Sequence, residues 1–379
     1  MANQILKNPF VIVGNIPADC FCDRREESAR IVRTLTNEGN LLLISARRMG
    51  KSGLVKYCFD LPEIQENYYT FFVDILHTTS LREFVFNFGQ QVFDVLKGQG
   101  EKTLRGLIQT MKSLAGSFGY DPITGMPTFQ LELGRIMQPE YTLKEIFSWL
   151  ENADKPCIVA FDEFQQICNY PEKNIEALLR GHIQHLKNAN FIFAGSEQHL
   201  LSEMFLSSAR PFYNSTDQLV LHAISPKEYI PFVCHWFEAY DKSVSPESVK
   251  WAYDYLEGNT YCMQKLFHEA FANTFKGENC SLELLENTLE NILIENGAGY
   301  RKMLSRIPER QKEVLYAIAK EGRAQKVMSA AFIRKYSLTS ASSVQAALKK
   351  MLAEGMISVD GNVYFIPDIY FRLFIYRFM

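Results

Sequence analysis

Three short stretches carry residue types that together can hold phosphate and move a proton. The first is ISARRMGKSG, residues 44–53. Its Gly50-Lys51-Ser52 closes the pattern G-x-x-x-x-G-K-[ST], with Ser45 where the opening glycine is usual. Backbone N–H groups over Arg47, Arg48, Met49, Gly50, Lys51, Ser52 and Gly53 can cradle phosphate oxygens, and a following helix would point its positive end at them. Lys51 would neutralise β- and γ-phosphate oxygens, and the Ser52 hydroxyl would ligate Mg²⁺. The missing glycine mainly concerns a tight turn, which serine can make if its φ stays negative.

The second stretch is PCIVAFDEFQQI, an apolar run ending in Asp162-Glu163. At the carboxyl end of a parallel strand both acids face the ligand crevice. Asp162 would hold the Mg²⁺ shell, directly or through water, and Glu163 would polarise an attacking water as general base. The third is NFIFAGSEQHLL, where Ser196 either senses the γ-phosphate and orients water or caps the next helix. Asp74, ending YYTFFVDI, would orient water or cap the next segment. Arg210, in SSARPFYN, is an arginine finger or a surface residue.

These residues need a scaffold, and the apolar pattern supplies one. REESARIVRTLTNE reads as a helix, LLLIS as a buried strand and LVKYCF as a helix opening. YYTFFVDIL, PCIVAFDEF and NFIFAGS are further strands. Helices SLREFVFNFGQQVFDVLKG and TLKEIFSWLENADK lie between them, with capping boxes at Ser80/Glu83 and Thr142/Glu145. Nearly continuous apolar strands alternating with helices predict a parallel sheet covered on both faces. Residues 98–141 are glycine-rich and mixed, an expected insertion with mobile parts. After about residue 225 the pattern is helical. From 305 three helices precede a hairpin expected around Asp360-Gly361, the order of a winged helix-turn-helix. The expected divisions are a 1–224 core, a 225–304 helical lid and a 305–379 winged-helix domain.

The 379 residues, 47% hydrophobic and 13% aromatic, can build more than one core. A net charge of -3 gives no global attraction to nucleic acid. The N-terminus is expected to carry no signal peptide, and no apolar run approaches the roughly 18 residues that span a bilayer. Eight scattered cysteines, of which only Cys20 and Cys22 are close, suit reduced thiols in the cytoplasm better than a metal site.

The set NPFVIVGN, FCDRREE, ISARRMGKSGLV, FDEFQQI and FIFAGSEQHLL resembles the archaeal-type ATPase family over nearly the whole chain. These are AAA+-related, STAND-like P-loop ATPases with a helical lid and a C-terminal winged helix. The resemblance implies an ASCE P-loop NTPase sheet in which a sensor strand separates the acid strand from the loop strand. It places Phe21, Arg24 and Glu27 in the F-x-x-R-x-x-E box near the base or the first helix. It matches Arg210 to the arginine after the sensor strand, and Gly258-Asn259 to a G-N-P lid motif in which Thr260 replaces proline. IYFRLFIYRFM resembles the family's aromatic tail, expected to dock on the body or on a partner. The expected function is an ATPase, a slow conformational switch using ATP and Mg²⁺. The alternative is a nucleotide-gated DNA-binding or protein-interaction module with negligible hydrolysis. No N-K-x-D guanine box is present, which favours adenine. Expected partners are ATP or ADP and an unidentified protein; a homo-oligomer stays open. So does DNA, since residues 306–379 hold 12 Lys or Arg against 6 Asp or Glu, yet the helix SSVQAALKKML has no arginine to reach guanine.

Overall fold

The computed structural model describes residues 8–14, 16–99, 101–113, 118–120, 127–129, 133 and 136–379. Residues 1–7, on which part of the signal-peptide reading rests, lie outside these. So does much of the 98–141 insertion, whose described parts are the helix Glu101–Thr110 and a short antiparallel pair, Phe118–Tyr120 with Pro127–Phe129. The chain divides into two compact units, Arg24–His222 and Met1–Asp23 with Ala223–Met379.

The unit Arg24–His222 is built on a five-stranded parallel sheet. Its spatial order is Tyr69–Asp74, Cys157–Asp162, Ala189–Gly195, Leu41–Ile44, Asp217–Val220. The strand ending at Asp162 (the acid strand) is thus separated from the strand entering the glycine-lysine loop (the loop strand) by Ala189–Gly195, which Ser196 follows. All four residues of the loop strand and all six of the acid strand are buried, as their continuous apolar runs require. Phe161 of the acid strand lies 5.2 Å from the rings of Phe84 and Phe88, on the helix Leu81–Lys97. Each such ring pair adds about 0.5–1.5 kcal/mol beyond its buried area. That packing fixes one face of the strand whose end carries the acids.

Ser80 caps that helix as expected, accepting from Glu83 N; Glu83 reaches back to Thr79 N at 2.6 Å, one residue before the cap. The second capping box is not formed. The helix starts earlier, at Pro139, whose locked φ and missing donor suit a first helical position. Thr142 lies inside it, and buried Glu145 accepts from Ser113 N instead.

The other unit is mainly helical. Phe10 from the N-terminal segment is fully buried among Phe232, Phe237, Phe267 and Phe271. Asn8 donates to His268 O at 2.8 Å, and the His268 ring meets Phe10 O at 2.7 Å. The winged-helix segment has helices Glu309–Glu321, Ala330–Lys335 and Ala341–Ala353. Its three-stranded sheet is ordered Arg323–Gln325, Val363–Phe365, Ser358–Asp360. Sequence reading missed the first strand, which is only three residues long. The hairpin turn centres on Gly361-Asn362, one residue later than expected, because Asp360 pairs with Val363. Gly361 takes φ +57, the positive angle a two-residue turn needs at its first centre. The aromatic tail forms the helix Ile369–Phe378 and docks within this unit. Tyr370 donates to Cys262 O at 2.7 Å, and Phe374 packs on Tyr300. Among the described residues no helix is long and apolar enough to cross a membrane.

Candidate phosphate-binding site

The loop strand ends at Ile44, opposite Gly195, so Ser45 and Ser196 emerge side by side. The chain then turns through Arg48 (φ +65) and Gly50 (φ +90) into the helix Lys51–Asp60. Gly50 is its N-cap and offers no side-chain cap, which leaves the first helical N–H groups without one. Ser45 is not among the residues with positive φ, and it is fully buried. Its hydroxyl donates to Ala46 O at 2.8 Å and accepts from Lys51 Nζ at 3.3 Å. The serine therefore anchors the buried lysine as well as making the turn, a role the motif gave no sign of.

The acid strand brings its pair to the same end. Ser52 Oγ donates to Asp162 Oδ2, bridging 110 residues of sequence. Asp162 is 5% exposed, and burial pushes its carboxyl above the usual range. Glu163 and Asp74 add to that effect, while the Ser52 hydrogen bond and Lys51 oppose it. Burial likewise pulls the Lys51 ammonium below its usual value, against the attraction of Glu163 and Asp162. Both groups are thus desolvated at some cost.

Glu163 adopts a left-handed backbone, φ 56 and ψ 43, as N-cap of the 3-10 helix Phe164–Asn169. Its Oε2 accepts from Ser196 Oγ at 2.8 Å, Ser196 N at 3.2 Å and Gln165 Nε2 at 2.6 Å. The Ser196 hydroxyl is turned to Glu163 and does not cap the helix Gln198–Leu206, whose N-cap is Glu197. Arg47 Nε approaches Ser196 Oγ at 3.5 Å. Asp74 pairs in register with Asp162, and its Oδ1 accepts from Leu76 N at 2.9 Å, closing the turn after its strand.

Arg210 is engaged elsewhere. It pairs with Glu176 at 3.1 Å and Glu203 at 3.8 Å and touches Cys168 Sγ at 3.7 Å. Arg24, which the sequence marked only through its F-x-x-R-x-x-E box, is 4% exposed. Its guanidinium pairs with Glu27 at 2.7 Å, donates to His222 O at 2.6 Å and reaches Met49 O of the loop at 3.5 Å. In the other unit Gly258 has φ +61 with the Tyr253 ring against it, and Asn259 caps the helix Thr260–Asn273 by accepting from Cys262 N. Among the described residues no group of three or more His, Cys, Asp or Glu could hold a metal ion. The site instead offers one buried carboxylate beside one hydroxyl, lysine and helix N–H donors. That set suits a phosphate-borne Mg²⁺ better than a caged ion.

Comparison with known proteins bears on the fold that carries these residues. Residues 298–377 match the family model described as a probable winged helix domain. Over 97% of this chain and 99% of that one, the structure is similar to the Walker-type ATPase of Pyrococcus abyssi, with TM-score 0.68 and 19% identity. The ORC2 protein of Aeropyrum pernix, in ADPNP-ADP complexes, matches over 97% of both chains with TM-score 0.60 and 14% identity. The ORC1 protein of the same organism, in complex with DNA, matches over 97% of this chain and 96% of that one with TM-score 0.50 and 12% identity. No curated protein sequence gives a significant match. The chain has the P-loop ATPase fold, with a parallel sheet covered by helices and a C-terminal winged helix.

Proposed function

We propose that this protein binds MgATP and hydrolyses it slowly, switching conformation between its ATP and ADP states. The observation that carries the reading is the convergence of Lys51, Ser52, Asp162, Glu163 and Ser196 at the carboxyl ends of three adjacent parallel strands. Amides from Arg47 to Gly53 bind the phosphates. Lys51 leaves Ser45 and Ala46 O for phosphate oxygens, which relieves its burial. Ser52 and Asp162 would hold Mg²⁺, directly or through water; the hydrogen bond that joins them supports a shared role. Bound there, the ion neutralises phosphate charge. Glu163 takes a proton from water, and Ser196 turns its hydroxyl between Glu163 and the γ-phosphate. Arg210 takes part only by leaving Glu176. Residues 225–304 and 305–379 act as lid and winged-helix output.

The test is Mg²⁺-dependent turnover by wild type, Lys51→Ala and Glu163→Gln. Lys51→Ala loses nucleotide affinity. Glu163→Gln keeps it and slows turnover by roughly 10²–10⁴-fold. Turnover that survives both changes defeats the proposal.

A second reading, a nucleotide-gated module with negligible hydrolysis, is favoured by one observation. Oε2 of Glu163 already accepts three hydrogen bonds. Tight binding with no turnover in wild type would select it. Its DNA version would use exposed Ser342, Gln345 and Lys349 on the helix Ala341–Ala353. A salt-dependent shift of duplex DNA by the full chain tests that.

A further inference from the structure

Gln165 sits in the first turn of the 3-10 helix after the acid pair, and the proposed reaction leaves it without a task. Its side chain is buried, at 3% exposure. Nε2 donates to Glu163 Oε2 at 2.6 Å, the oxygen that also accepts both Ser196 donors. Oε1 of Gln165 is buried and, among the described residues, has no hydrogen-bond partner. The carboxylate dictates this orientation, because exchanging O and N would set two acceptors against each other. An unpartnered buried amide oxygen costs stability, so folding alone does not account for the arrangement. Gly195 makes the room for it: a Cβ there would lie 2.0 Å from Gln165 Oε1. The left-handed backbone of Glu163 is a strained state that persists only where the surroundings over-determine it.

We propose that Gln165 is a positioning residue for Glu163; this rests on the reading that Glu163 activates water. Its carboxamide holds Oε2 and leaves Oε1 as the oxygen presented to water. Ser196 can turn its hydroxyl away toward a phosphate, whereas Gln165, walled in beside Gly195, stays on the carboxylate. The two donors therefore have different tasks.

Gln165→Met keeps the length of the side chain and removes its donors. The expected result is a fall in kcat of about tenfold or more, because a misplaced group loses that much, while KM for MgATP and affinity for ADP change less than about twofold. In the Glu163→Gln background the same change has no further effect on kcat, since no base is left to position. A residue serving only the fold would lower kcat alike in both backgrounds. A second measurement needs neither turnover nor a Gln165 variant. In nucleotide-free full-length protein labelled with ¹⁵N-glutamine, the Gln165 side-chain amide is identified by its contact with the Gly195 α-protons. Its resonance should move in Glu163→Ala. The proposal is overturned by an unchanged kcat in Gln165→Met, by equal losses in both backgrounds, or by an amide resonance indifferent to Glu163→Ala. Absence of wild-type turnover defeats the ATPase reading and this proposal with it, whereas wild-type turnover that Gln165→Met leaves unchanged defeats this proposal alone.

Discussion

Restoring the usual glycine at the head of the phosphate loop should weaken this protein. Ser45→Gly removes the hydroxyl that accepts from Lys51 Nζ at 3.3 Å, leaving that ammonium, among the described residues, the longer contact with Ala46 O at 3.5 Å. A well-made hydrogen bond to a charged group contributes about 1.5–3 kcal/mol; at this length about 1 kcal/mol is a fair share. Lys51 is 6% exposed, so water does not replace the lost acceptor. Glycine also frees the unfolded chain, at a cost of about 0.5–1 kcal/mol, and nothing is gained in return because Ser45 does not need a positive φ. The total is about 2 kcal/mol. For a unit of 150–250 residues that corresponds to a fall of roughly 4–8 °C in the thermal midpoint. The assay is thermal unfolding of the nucleotide-free full chain, followed by circular dichroism. With saturating ADP the deficit should shrink, since phosphate oxygens then replace Ser45 as the acceptor for Lys51. A Ser45→Gly protein that melts at or above the wild-type temperature would refute the reasoning.

Two further predictions concern stability. Phe10→Ala empties a fully buried site ringed by four phenylalanines, and should cost about 3–5 kcal/mol in the unit containing residues 223–379; urea titration of the variant against wild type measures it, and a loss below about 1 kcal/mol would contradict the packing. His182 stacks on Phe147 at 5.0 Å, and burial, with Lys144 nearby, pulls its ring below the usual histidine range. The folded chain therefore binds this proton less readily than the unfolded chain, so the contribution of His182 is complete above pH of about 6.5 and declines as pH falls below it. His182→Gln should flatten thermal midpoint against pH between about 5 and 7, and an unaltered slope would exclude the histidine as its source.

What could be read from the chain alone was whatever depends on near neighbours. Continuous apolar runs marked the buried strands, because a strand covered on both faces has no polar side to show. Gly50-Lys51-Ser52 and Asp162-Glu163 stood out because their types and spacing are those that phosphate and metal chemistry uses, and the fold does bring Ser52 to Asp162. Local signals failed where two choices were both good locally. Thr142 looked like a cap, but the N-cap is Gln138, four residues earlier, and the helix starts at Pro139. The strand Arg323–Gln325 was too short to show a period, and pairing with Val363–Phe365 defines it.

The tertiary structure decided which distant groups meet. Ser196 and Gln165 share one oxygen of Glu163 because the acid strand and the strand Ala189–Gly195 are neighbours in register, and because Gly195 leaves space for an amide. Arg24 reaches His222 O across 198 residues, and Arg210 turns to Glu176 while the loop residues gather elsewhere. Ser45 stands where the motif has glycine, and it is a partner of Lys51 because the turn brings its hydroxyl to the ammonium. Residue types set what each group can do, since donor, acceptor and charge belong to the side chain. Strand order and register set with whom it does so, because a hydrogen bond spans about 3 Å however far apart its partners lie in the chain.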